Sequence, residues 1–139
     1  LTDDTLMRAA ELGSVIVVLA TDAPMMPHQL RRLAKRAAIG VGRGGSPGGN
    51  NSGDIFLAFS TANEMPMPQL SDTHRSFEYI NDETFDPIYM AVVESVEESV
   101  INAMVAAEDT PTVRPHGLMC RAIDHNKLVE VMRQYGRCQ

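Results

Sequence analysis

Two short runs of unbroken apolar residues, Val15-Ile16-Val17-Val18-Leu19-Ala20 and Ile55-Phe56-Leu57-Ala58-Phe59, constrain this chain more than any other feature. Neither alternates apolar with polar residues, so each reads as a strand covered on both faces, over residues 14–20 and 54–60. Between them, from Pro27 to about Ile39, Leu30, Leu33, Ala34, Ala37 and Ala38 recur at i, i+3, i+4, i+7 and i+8. That spacing is one face of an amphipathic helix, and Pro27 suits its first turn because the missing N–H is not needed there. Residues 40–53 are so rich in glycine that no regular element is expected to persist through them.

Downstream, residues 62–78 hold Pro66 and Pro68 among mixed charges and read as a surface excursion. Asn81 or Asp82 can cap a long helix carrying Ile88, Val92, Val93, Val96, Val100 and Met104, ending near Asp109 before Pro111. A last helix begins at Asp124, gathers Leu128, Val131, Met132 and Tyr135 on one side and stops at Gly136. Leu6, Ala9, Ala10 and Leu12 hint at a short helix or arm over residues 1–12. The order strand, helix, strand, helix, helix implies an α/β sandwich. Two strands cannot make a doubly covered sheet alone, so further strands are expected from residues 110–123 and from a partner or missing segment.

With 139 residues, 44% hydrophobic and 22% charged, the chain is one domain or part of one and can bury a core. A net charge of −6 argues against nucleic acid, which needs clustered cations. The basic cluster Arg31, Arg32, Lys35 and Arg36 is spaced as the wet face of a helix. No apolar run reaches the roughly 18 to 20 residues that span a bilayer. Cys120 and Cys138 lack metal-ligand spacing and read as free thiols, and His28, His74, His116 and His125 read as surface or capping residues. No metal and no cofactor are expected. Because no Met opens the chain, Leu1 is not read as a translational start; the expected compartment is cytoplasmic, with the periplasm as the alternative.

Three stretches invite chemistry. The run Gly42-Arg43-Gly44-Gly45-Ser46-Pro47-Gly48-Gly49 lacks the Lys-Ser or Lys-Thr of a phosphate loop and precedes a strand instead of opening a helix, so it is read as a loop that lets backbone approach a substrate. Gly13-Ser14 stands at the head of the first strand. A serine there is ordinarily a strand start, yet it is also where a chain that cuts itself would place a nucleophile that uses its own freed amine as base. Asn51-Ser52-Gly53-Asp54 puts a hydroxyl and a carboxylate two residues apart at the mouth of the second strand. Ser52 and Asp54 can simply cap that turn. Alternatively, Asp54 can orient Ser52, and Ser52 a nucleophile, in a triad without histidine.

The segments Gly13 to Pro24, Pro27-His28-Gln29-Leu30 and Asn51 to Asn63, in this order, resemble the smaller chain of the L-aminopeptidase/D-esterase family, whose relatives include the β-peptidyl aminopeptidases. The likeness runs from about Gly13 to the C-terminus. It implies a four-layer αββα sandwich similar to the N-terminal nucleophile hydrolases, completed by a larger chain. It implies a cut between Gly13 and Ser14, so that residues 1–13 are a residual precursor segment and 14–139 the small chain. Ser14 is then the nucleophile, with Ser52 and Asp54 as its supporting hydrogen-bond chain. Implied partners are the larger chain of the same precursor, further copies in an oligomer, for which the family suggests a tetramer, and a small peptide, amide or ester substrate. Aspartate rather than glutamate at 54 favours the branch acting on ordinary L-amino-acid amides and peptides and on D-amino-acid esters. Two other readings stay open: an acyltransferase of the ornithine acetyltransferase type, whose nucleophile is threonine, and a non-catalytic α/β interaction domain.

Overall fold

The computed structural model describes residues 13–65, 67, 73–114 and 116–138. The expected helix or arm over residues 1–12 lies outside them. Contacts divide the chain into two units, Leu12–Glu98 and a second that contains Ser99–Gln139.

In the first unit, β1 (Ile16–Thr21) and β2 (Ile55–Ser60) pair in parallel, Ile16 opposite Ile55 and Thr21 opposite Ser60. Parallel neighbours need a crossover, and α1 (Pro27–Arg43) supplies it. Leu33, Ala37 and Val41, four residues apart on α1, are buried together with Met25, Phe85, Val92 and Val96. Phe85 closes a 3₁₀ turn (Asp82–Thr84), and the valines belong to α2 (Asp86–Val105). Val15, Val17, Leu19, Phe56 and Ala58 pack one face of the β1–β2 sheet against this cluster.

Two expectations need correction here. The first helix does not stop near Ile39; it continues four residues through Gly40 to Arg43. A Cβ at Gly40 would lie 2.7 Å from the Val93 carbonyl oxygen and 2.8 Å from Val96 Cβ, so glycine is what lets α1 reach α2. The break comes later, where Gly44 caps the helix and Gly45 turns at φ 101°. The described residues cover the strands on one face, and Ile16, Val18, Ile55, Leu57 and Phe59 on the other face are 43–69% exposed, so the expected second cover is not supplied by them. The other correction concerns Asn81, which does cap, accepting the Glu83 N–H at 3.1 Å, but the turn it caps is the 3₁₀ turn, and α2 itself starts at Asp86.

The excursion after β2 is closed by one side chain. The Asn63 amide donates to the Glu78 carbonyl and accepts the Glu78 N–H, both at 3.0 Å. Two of the four helix-face cations are used structurally: Arg32 pairs with Asp82 at 2.8 Å, and the Arg36 guanidinium lies 4.0 Å from the centre of the Tyr89 ring.

In the second unit, the strands expected from residues 110–123 are a two-residue antiparallel ladder, β3 (Thr110–Pro111) with β4 (Met119–Cys120). Helix α3 (His125–Gln134) is capped by Asp124, whose carboxylate accepts the N–H groups of Asn126 and Lys127, and Gly136 follows it at φ 63°. The long helix expected to end near Asp109 ends at Val105, where His125 Nε2 donates to the Val105 carbonyl at 3.0 Å. Cys120 and Cys138 are free thiols.

Candidate active site

Parallel pairing brings the N-terminal ends of β1 and β2 side by side, so the two segments singled out in the sequence meet at one corner of the sheet. The ladder begins with the Ile55 N–H donating to the Val15 carbonyl at 2.9 Å. Just outside it, the Gly53 N–H donates to Ser14 Oγ at 3.0 Å, and the Val15 N–H donates to Asp54 Oδ1 at 3.0 Å. The chain thus reads its own partner strand twice in two residues, with a donor at Gly53 and an acceptor at Asp54. Ser14 is exposed and precedes the first paired residue of β1, while Asp54 is half-buried.

Gly53 is the close-approach point. A Cβ there would come 3.1 Å from Ser14 Oγ, so any larger residue pushes against the hydroxyl. Ser52 lies immediately before it, half-buried, with its own N–H donating to the Gly49 carbonyl at 2.9 Å. Among the described residues no hydrogen bond reaches the Ser52 hydroxyl. The three expected residues are therefore gathered at one corner, but the chain Asp54 to Ser52 to Ser14 is not formed. Asp54 holds backbone instead, and Ser14 holds the Gly53 amide. The Gly53 contact escaped sequence reading because Gly53 makes it with its main-chain N–H, which no residue type signals.

A hydroxyl that accepts an N–H keeps its own proton free to give away. That suits Ser14 Oγ to attack, since the Gly53 donor also favours negative charge on the oxygen as the proton leaves. Among the described residues no group of three His, Cys, Asp or Glu side chains is placed to hold a metal ion.

The sequence profile of peptidase family S58 matches residues 2–117. The chain belongs to peptidase family S58. Within that family it is 44% identical over 125 residues to a β-peptidyl aminopeptidase of Sphingosinicella microcystinivorans, covering 90% of this chain and 31% of the relative. Its fold superposes with a TM-score of 0.83 and 56% identity on the L-aminopeptidase D-Ala-esterase/amidase of Ochrobactrum anthropi, described as a prototype of the serine aminopeptidases and a variant of the Ntn hydrolase fold. That match covers 97% of this chain and 38% of the other. A Burkholderia β-aminopeptidase superposes with a TM-score of 0.80 at 32% identity, over 97% of this chain and 38% of that one. This S58 chain therefore carries a portion of the Ntn hydrolase fold, and it spans about a third of the length of the curated relatives it matches.

Proposed function

We propose that this chain is the small-chain portion of a self-processing serine aminopeptidase, with Ser14 as the nucleophile released by cleavage after Gly13. The observation that carries the reading is the corner itself: an exposed Ser14 hydroxyl, held by the Gly53 amide, at the head of a strand in an S58 chain. In the precursor, Ser14 Oγ attacks the Gly13 carbonyl carbon, where no side chain obstructs it. The Gly13–Ser14 C–N bond breaks as an ester to Oγ forms, and water then splits the ester, leaving a Gly13 carboxylate and a free Ser14 amine. Proximity favours this intramolecular step. The neutral amine, with an ordinary pKa of about 7.7 to 8.0, then takes the Oγ proton when Ser14 attacks a substrate carbonyl. The acyl group passes to Oγ, the amine of the leaving residue departs with the proton, and water regenerates the hydroxyl. Ser52 and Asp54 support the nucleophile.

Relatives named for β-peptides, for L-amino-acid removal and for D-Ala esters and amides support a substrate class of short peptides, amino-acid amides or esters that lose their N-terminal residue. The uncovered apolar sheet face supports a larger chain of the same precursor as the other half of a four-layer αββα sandwich. Such αβ units would then assemble further, as a tetramer.

The test is an intact-mass spectrum with N-terminal sequencing of protein from the full gene. Two chains are expected, the smaller beginning Ser-Val-Ile-Val-Val, with hydrolysis of aminoacyl p-nitroanilides that a chelator does not affect. Ser14→Ala is expected to stay uncut and inactive. A wild-type protein that remains one chain and hydrolyses none of these substrates overturns the reading.

A further inference from the structure

Among the described residues β2 is paired along one edge only, the one that meets β1. The Ile55 N–H donates to the Val15 carbonyl and the Thr61 N–H to the Thr21 carbonyl, both at 2.9 Å. Backbone groups alternate sides along a parallel strand, so Ile55, Leu57, Phe59 and Thr61 bond toward β1, and the N–H and C=O groups of Phe56, Ala58 and Ser60 point the other way. That side carries none of the devices that blunt a true edge: Ile55–Ser60 holds no charge and no proline, and its register with β1 runs through without a bulge. A groove of about 320 Å³ opens beside it, lined by Leu30, Arg31 and Ala34 of α1 and by Phe56, Leu57 and Ala58. Leu57 lies on the opposite face of the sheet from Phe56 and Ala58, and no β1 residue lines the groove, so it follows the free edge.

We propose that β2 is an inner strand of the working molecule: an apolar strand of the larger chain pairs with the free edge through the backbone of Phe56, Ala58 and Ser60 and sends side chains into the groove under α1. This extends the sheet sideways and is separate from the layer that covers its bare face; it rests on the reading that a larger chain of the same precursor exists. Three observations choose that occupant. Most of the length of the relatives lies outside the part that this chain matches, which leaves ample chain for further strands. The free N–H and C=O groups call for an extended segment, because a helix satisfies its own. The edge is apolar on both faces, with Phe56 and Ala58 on the α1 side and Leu57 and Phe59 on the other, so its partner is an unbroken apolar run like β1 and β2 themselves.

The test is residue-resolved amide hydrogen exchange on wild-type protein from the full gene, read at Phe56 and Ala58 against Leu57 and Phe59, whose bonds to β1 set the scale. The Phe56 and Ala58 amides are expected to exchange within about tenfold of that scale, and faster exchange overturns the proposal. Slow exchange that is lost on dilution to single αβ units assigns the edge to a second copy and overturns it too. Proline substitution in the precursor is an independent check. Ala58→Pro removes an N–H on the free side alone, which an edge strand tolerates and an inner strand does not, whereas Leu57→Pro breaks the β1 ladder in either case. Both variants are expected to lose soluble, folded protein to the same degree, and an Ala58→Pro protein that folds and melts near wild type overturns the proposal. Self-cleavage and p-nitroanilide hydrolysis of the wild type score the hydrolase reading separately: a cut, active protein with fast exchange at Phe56 and Ala58 loses the strand alone, and an uncut, inactive one with slow exchange keeps the strand and loses the nucleophile.

Discussion

Gln29 is 1% exposed on a helix turn whose neighbours Pro27, His28 and Arg31 are in water, and every polar hydrogen it has is used. Its Oε1 accepts the Met26 N–H at 2.9 Å, and its Nε2 donates to the Ile80 carbonyl at 2.8 Å and to Asp82 Oδ1 at 2.6 Å. Replacing it with leucine strands these partners, and a loss of about 1–3 kcal/mol in unfolding free energy is expected by denaturant titration. The Gln29 hydrogen bond, helped by the Arg32 guanidinium, holds the Asp82 carboxyl below its ordinary range. A carboxyl lowered in the folded state contributes stability above its unfolded pKa and loses it as pH falls through the folded one. Asp82→Asn is therefore expected to melt below wild type at neutral pH, with the two melting temperatures converging as pH falls below about 4. At this scale the sequence singles out Ser14, Ser52 and Asp54 as candidates but not the bonds they make. Asp54 meets Val15 rather than Ser52 because of strand register, a long-range property that residue types alone do not encode. Gln29 stayed hidden because a glutamine in an amphipathic helix ordinarily faces water.

Among the elements, β1, β2 and α3 fell within two residues of their expected limits, because period and capping residues are local signals. The end of α1 does not, because glycine, a breaker by propensity, acts there as a contact. Helix propensity disfavours glycine by about 1 kcal/mol against alanine. At Gly40 that preference loses to sterics, since an alanine methyl would meet the Val93 carbonyl oxygen and Val96 Cβ under 3 Å. Gly40→Ala is expected to lower stability by about 1–3 kcal/mol despite the better helix former, as overpacking does. The same change at Gly42, which has open space where a Cβ would go, is expected to be neutral or slightly stabilising. Equal thermal shifts in the two variants would refute the close-contact account.

For the whole molecule, the decisive quantity is the sheet face that the described residues leave bare. Ile16, Val18, Ile55, Leu57 and Phe59 form a patch on a two-stranded parallel sheet, an architecture that is found covered on both sides and is too narrow to stand alone. A side chain of this kind gains roughly 1.5–3 kcal/mol on going from exposed to fully buried, and these five are about half exposed, so covering the face adds several kcal/mol, a sizeable share of a domain's stability. The unbroken apolar runs lead to an expectation of cover on both faces; the described residues cover one, so the runs alone do not say what meets the other. That reasoning fixes the sign of a test in the full precursor. If a second sheet lies on this face, Leu57→Asp buries a carboxylate against apolar neighbours, and a large fall in melting temperature with loss of self-cleavage is expected. If the face stays in water, the same substitution only removes an exposed leucine, and the protein becomes more soluble at unchanged stability.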